Sequence, residues 1–184
     1  SSQTAVELIG EIDFEVEDSL GRAWQCGTIQ LDFQMPERLD LAYTGSDGSD
    51  HRPVMVHRAI FGSVERFFGI LIENFGGAFP VWLAPVQVLL ASISEKQEAH
   101  VIKVYETLKS AGIRVESDLR SEKIGYKIRE AESNKVPYIA VIGDREVEIN
   151  EVALRGRGRK DLGSFKVTDL IEKIRHESES KEIN

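Results

Sequence analysis

Cysteine is nearly missing. The 184 residues hold one, Cys26, which excludes an internal disulfide framework. Long apolar runs are missing too: none approaches the roughly 18 residues of a membrane span, and no basic-then-apolar signal segment opens the sequence. A soluble, cytoplasmic protein is expected. Positive charge is in deficit, with 23 Lys and Arg against 31 Asp and Glu and a net charge of −8. That argues against nucleic-acid binding through bulk charge but leaves local basic patches open. What is present is an apolar share of 41%, enough for packed cores. The length fits one large domain or two small ones.

The two halves read differently, and the expected division is 1–81 and 82–184. From Ile12 the pattern is strand, strand, loop, strand, helix. "RAWQCGTIQLDF" (22–33) alternates, with Ala23, Ile29, Leu31 and Phe33 on one side and Cys26, Thr28, Gln30 and Asp32 on the other. "TGSDGSD" (44–50) is a loop by composition, and "PVMVHRAIF" a further strand, which suggests an antiparallel pair. After Ser63, the apolar positions Val64, Phe67, Phe68, Leu71, Ile72 and Phe75 fit an amphipathic helix ending at Gly76-Gly77. "AFPVWLAP" (78–85) reads as a linker. Then "VQVLLASI" is a strand, Ser94 with Gln97 a capping box, and Val101, Val104, Tyr105, Leu108 and Ala111 one helix face. "IRVESDL" and "PYIAVIG" read as strands around a short helix, "REVEINEVALRGR" as a hairpin, and Val167, Leu170, Ile171 and Ile174 as a last helix. The βα alternation predicts a sheet covered by helices.

Four features invite chemistry. The polar row Cys26, Thr28 and Gln30 is either a solvated face or the open face of a cleft. His57 can bind zinc through its imidazole, but zinc takes at least three protein ligands, and neither His51 nor Cys26 makes a recognised spacing with it. Arg66 falls at the third position of a helix that Ser63 can cap. A cation there is unfavourable to the helix dipole unless an anion is held with it; the alternative is a surface pair with Glu65 or Glu73. Basic residues gather in "LRSEKIGYKIR" (119–129) and "RGRGRK" (155–160), which suits phosphate contact or a solvated face, and Glu146 nearby suits a base edge.

These residues also carry a resemblance. "WQCGTIQLDFQMPERLDLAY" and "HRPVMVHRAIFGSVERFFGILIENFGGAFPVWLAPVQV" resemble the C-terminal part of the catalytic domain of bacterial-type threonyl-tRNA synthetase. "AGIRVESDLRSEKIGYKIREAESNKVPYIAVIGDREVE" and "VALRGRGRKDLGS" resemble its anticodon-binding domain. The resemblance implies an α/β (α+β) chain: an antiparallel class II catalytic sheet, then an α/β domain on a mixed five-stranded sheet. "FGSVERFFGIL" is similar to the third class II motif, which implies that Arg66 meets ATP phosphate, with Mg, and that Ser63 lies beside the nucleotide. His57 is similar to one ligand of the family's zinc, which grips threonine. Thr28 and Gln30 would line the threonine and adenylate pocket, and Gln25 would neighbour the nucleotide, although the alternation places Gln25 on the other side. Ser121, Glu146 and Arg155 would read anticodon bases of threonine tRNA, with Arg120, Lys123 and Arg157 on its backbone.

Two departures shape the expectation. The first two class II motifs and two zinc ligands have no counterpart in this sequence. Where the family has Tyr-Gly-Pro-Lys, the chain has Leu8-Ile9-Gly10-Glu11, so a glutamate replaces a lysine of the active site. The expectation is a threonine–tRNA ligase part that binds tRNA but does not activate threonine by itself. A non-catalytic tRNA-binding protein of synthetase descent is the alternative. The family dimerises through its catalytic domain, which leaves this chain's oligomeric state open.

Overall fold

The computed structural model describes residues 10–183. Leu8 and Ile9 lie outside the described residues; Glu11 lies within them. The chain forms two compact units, divided between Asn74 and Phe75.

The first unit is an antiparallel sheet. Strands β1 (Glu11–Glu17) and β2 (Ala23–Asp32) form a hairpin. After helix α1 (Gln34–Arg38) and the small ribbon β3 (Tyr43–Thr44) and β4 (Asp50–His51), strand β5 (Met55–Ala59) returns antiparallel to β2. The order is β1-β2-β5. Asp18 ties the hairpin turn: its Oδ1 accepts from the amides of Leu20 and Arg22, and its Oδ2 from Trp24 Nε1 at 2.7 Å. Burial would raise its pKa, but these hydrogen bonds and the one from the Arg22 side chain outweigh it and hold the carboxyl well below the usual range.

The expected alternation along β2 breaks at Cys26. Phe14 pairs with Gly27 and Glu15 with Gln25, so Cys26 is the extra residue of a β-bulge. The bulge removes Cys26 from the polar row and buries it to 5% exposure. It also reverses the parity of every residue before it, which puts Gln25 on the side of Thr28 and Gln30, opposite to the simple reading. Helix α2 (Val64–Phe75) forms as its periodicity predicts, yet Val64, Phe68 and Ile72 stay exposed, as do Ile12, Phe14 and Val56 of the sheet. Part of each apolar face remains uncovered by the described residues of this unit.

The second unit buries both faces of its sheet. Its elements are β6 (Val88–Ser92), α3 (Glu98–Ser110), β7 (Val115–Asp118), α4 (Ile124–Ser133), β8 (Tyr138–Ile142), α5 (Asp144–Ile149), β9 (Glu151–Gly156), β10 (Lys160–Lys166) and α6 (Val167–Ser180). The strand order β10-β9-β8-β6-β7 is mixed: β6 is parallel to β7 and β8, while β9 is antiparallel to β8 and β10. Alternate residues supply the two layers. Val88, Leu90, Ala140, Ile142, Val152 and Leu154 pack with Val101, Val104 and Leu108 of α3 and Leu170 and Ile174 of α6. Leu89, Ile139, Val141 and Ala153 pack with Ile124, Ile128 and Ala131 of α4. Each fully buried aliphatic side chain contributes about 1.5–3 kcal/mol relative to exposure.

Two readings change. The segment 145–157 is not a hairpin: 144–149 is a helix. The Glu146 carboxylate accepts from the Gly143 amide at 2.9 Å, and Asn150 ends the helix in the left-handed region at φ 54°. The hairpin is β9 with β10, one element later. The 78–85 segment is bound to the second unit rather than free. Arg157 donates to the carbonyls of Ala78 and Phe79, and Arg114 to those of Val81, Trp82 and Ala84.

Candidate functional site

On the first unit, the bulge gathers a polar row. Gln25, Thr28 and Gln30 share a side of β2, and the register sets His57 of β5 directly beside Gln30. Acidic residues of β1 occupy the donors of this row. Gln30 Nε2 donates to Glu11 Oε1 at 2.6 Å, Thr28 Oγ1 to the same oxygen at 3.4 Å, and Gln25 Nε2 to Asp13 Oδ1 at 2.6 Å. Glu11 therefore puts a carboxylate among the groups matched to the threonine and adenylate pocket. His57 Nε2 lies 2.9 Å from Asp32 Oδ2. Hydrogen bonds from the Met35 amide and then from His57 hold the Asp32 carboxyl below its ordinary range. Among the described residues, no three His, Cys, Asp or Glu side chains converge as a metal group, so the residues present do not form a zinc site.

The strand-to-helix corner at 62–66 is built for close approach. Gly62 has φ +62°, and a Cβ there would meet the Cys26 carbonyl oxygen at 2.9 Å. Ser63 Oγ accepts from the Arg66 amide at 3.3 Å and caps α2. Neither expected acidic partner takes Arg66: Ser63 donates to Glu65 at 2.8 Å, and Glu73 is held by Arg22 at 3.0 Å. The exposed Arg66 guanidinium lies 5.7 Å from the Trp24 ring, whose parity in β2 is opposite to Gln25. Among the described residues the Arg66 side chain is thus free of carboxylates and lies against the Trp24 ring.

On the second unit, the C-terminal ends of β6, β7 and β8 form one edge. The chain leaves β6 toward α3 on one face and β7 toward α4 on the other, so a crevice opens between these neighbours. It measures about 480 Å³ and is lined by Ile93, Ser94, Glu95, Lys96, Arg120, Ser121, Glu122 and Lys123. The loops around it are tied together. The Ile93 amide donates to Ile142 O at 3.0 Å, the Ser94 amide to Gln97 Oε1 at 2.8 Å, and Gln97 Nε2 to Asp144 Oδ1 at 2.6 Å.

The six residues matched to tRNA contacts separate into two groups. The side chains of Ser121 and Lys123 are exposed at the crevice with no hydrogen bond or ion pair among the described residues, and that of Arg155 is half-buried on β9, likewise unpaired. Glu146 uses one oxygen to cap α5. Arg120 and Arg157 are committed inside the protein. Arg120 grips Asp118 through Nε at 3.0 Å and Nη2 at 2.7 Å and also holds Glu130, contacts that raise its own pKa further. Arg157 donates to the carbonyls of Ala78, Phe79 and Lys135. Sequence reading did not place Ser94 and Lys96 at the crevice. Their position directly after the central parallel strand was the available signal.

The comparisons agree with this two-part layout. Residues 7–75 match the tRNA synthetase class II core domain (G, H, P, S and T), and residues 87–177 match the Anticodon binding domain. The chain is 61% identical over 171 residues to the threonine–tRNA ligase of Clostridium botulinum (strain Langeland / NCTC 10281 / Type F), covering 93% of this chain and 27% of that protein. It is 58% identical over 171 residues, with the same coverage of each, to that of Clostridium tetani (strain Massachusetts / E88). Among solved structures, the RNA binding domain of threonyl-tRNA synthetase from Cryptosporidium parvum Iowa II aligns with a TM-score of 0.79 at 39% identity, over 90% of this chain and 42% of that one. Prolyl-tRNA synthetase from Cryptosporidium parvum aligns with a TM-score of 0.66 at 26% identity, over 92% of this chain and 37% of that one. A class II core and an anticodon-binding domain in that order, at this identity to threonine–tRNA ligases, mean that the chain belongs to the threonyl-tRNA synthetase family.

Proposed function

We propose that this chain supplies the anticodon-reading part of a threonine–tRNA ligase and binds the anticodon loop of threonine tRNA at the edge formed by β6, β7 and β8. The observation that carries this reading is the crevice between β6 and β7, where the side chains of Lys96, Ser121 and Lys123 have no internal partner among the described residues, beside Ser94, whose hydroxyl is held by Gln97 at 2.9 Å. Ser121, the second oxygen of Glu146 and Arg155 read base edges, and Lys96 and Lys123 neutralise phosphates. Arg120 and Arg157 support the loops rather than touch RNA, because their donors are already directed at Asp118, Glu130 and backbone carbonyls. In the ligase, threonine is activated with ATP and Mg and passed to the end of the tRNA. The chemistry rests on stabilising phosphoryl charge and on positioning. Arg66 and Ser63 would meet the nucleotide, and Gln25, Thr28 and Gln30 the adenylate.

The binding test is titration of the chain with an anticodon stem-loop of threonine tRNA at several salt concentrations. Cognate binding that weakens with salt, and that falls when the anticodon bases are changed, is the expected result. Equal affinity for an unrelated stem-loop overturns the reading.

A second reading, a tRNA-binding protein without ligase chemistry, is favoured by Glu11. Its carboxylate accepts from Gln30 and Thr28 where the family places a lysine, and it would repel nucleotide phosphate. Threonine-dependent pyrophosphate exchange by this chain is expected to be absent. Turnover at ordinary synthetase rates would remove both this reading and the expectation of inactivity.

A further inference from the structure

Lys127 is 1% exposed at its side chain, although its helix lies on the surface of the second unit. Its neighbours Ile124, Ile128 and Ala131 seat α4 on the sheet, and its own stem runs toward the strand ends. The ammonium has three donors, and three acceptors meet it: Ser92 O at 3.0 Å, Asp118 O at 3.1 Å and Ser92 Oγ at 3.3 Å. The Asp118 carboxylate lies 3.9 Å away and balances the charge.

The positions of these acceptors give the arrangement its meaning. Ser92 is the last residue of β6 and Asp118 the last of β7. The β6–β7 ladder closes with Ala91 opposite Asp118, and beyond it the two chains part toward opposite faces. There Lys127 supplies donors to the last carbonyls of both strands, and Ser92 Oγ also reaches Asp118 O at 3.5 Å. We propose that Lys127 is a positioning residue for base recognition: it bridges the diverging ends of β6 and β7 and so fixes the spacing between the Ser94–Lys96 and Ser121–Lys123 walls. This rests on the anticodon-reading proposal. Phosphate contacts tolerate a loose crevice because they act at a distance, whereas hydrogen bonds to base edges do not. The bridge therefore governs discrimination more than affinity.

Lys127→Met keeps the apolar stem and removes the three donors. The experiment measures, for the whole chain, the affinity for a cognate anticodon stem-loop, the affinity for one with substituted anticodon bases, and the salt slope of each, with circular dichroism confirming the fold. The expected result is a fall of about tenfold in the cognate-to-substituted ratio, equivalent to roughly 1.4 kcal/mol. The salt slope of the substituted stem-loop is expected to hold. A folded variant with an unchanged ratio overturns the proposal, and so does a ratio that falls only in step with the salt slope. If Lys127→Met does not fold, Ser92→Ala carries the test. It removes one acceptor of the bridge together with the Ser92 Oγ donor to Asp118 O at 3.5 Å, at a residue that is 2% exposed, and it must lower the ratio by about two- to threefold, with no change overturning the proposal. A wild-type chain that fails to discriminate at all rejects the anticodon reading itself, a result distinct from either variant's.

Discussion

Gly62 and Gly69 test whether space and backbone conformation act as described. Gly62 combines φ +62° with a backbone oxygen 2.9 Å from any added Cβ. Gly62→Ala should lower stability by about 1–3 kcal/mol, read as a drop in the denaturant midpoint. Gly69 sits inside α2 with open space around it, so Gly69→Ala should raise stability by roughly 0.5–1 kcal/mol. Charge gives a second test at this scale. The Arg120 hydrogen bond, assisted by its amide and by the Lys127 charge, outweighs burial and holds the Asp118 carboxyl low. A group depressed in the folded state stabilises at every pH above its unfolded value of about 3.9, and that stabilisation is lost as pH falls through the folded value. Thermal unfolding followed from pH 7 downward should stay level above about pH 4 and then fall, and Asp118→Asn should flatten the acid limb. Sequence could place Asp118 at a strand end, but not the two cations and one amide that converge on it.

Individual elements were legible to different degrees. Helices α2, α3 and α6 announced themselves through spacing, because a helix repeats its buried face within one continuous segment. Short α5 did not. Val147, Ile149, Val152 and Leu154 mimic a strand, and the decisive facts are a carboxylate bent back to an amide and an asparagine in the left-handed region. The attachment of α6 is equally hidden from sequence. Tyr138 of β8 donates to the buried Glu177 carboxylate at 2.8 Å, which Lys173 also reaches at 2.6 Å. Burial and then Glu177 push the tyrosine hydroxyl up to about 12. Tyr138→Phe leaves that carboxylate short of a donor, at a cost of about 1–3 kcal/mol. The loss should appear first as faster amide exchange in 170–178, and protection unchanged there would show that α6 is held by its apolar face alone.

At the scale of the whole molecule, the two units differ in how completely they cover themselves. The second closes its sheet between α4 on one side and α3 with α6 on the other. The first leaves Phe14, Val56 and Phe68 each more than half exposed, in a chain that spans 27% of its curated relatives' length. No helix among the described residues is long and apolar enough to cross a membrane. Metal dependence follows from the donor set: with Asp32 the one potential metal ligand at His57 among the described residues, a chelator should leave the unfolding midpoint unchanged and elemental analysis should find zinc well below one per chain. One tightly held zinc per chain would contradict this. Sequence by itself determined the family and most of the order of strands and helices, α5 excepted, because hydrophobic period and local motif are written in neighbouring residues. Only the tertiary structure decided which side Gln25 faces, which arginines are free and which buried lysine joins two strand ends. Those outcomes depend on a one-residue bulge and on contacts between segments far apart in the chain, which no local pattern records.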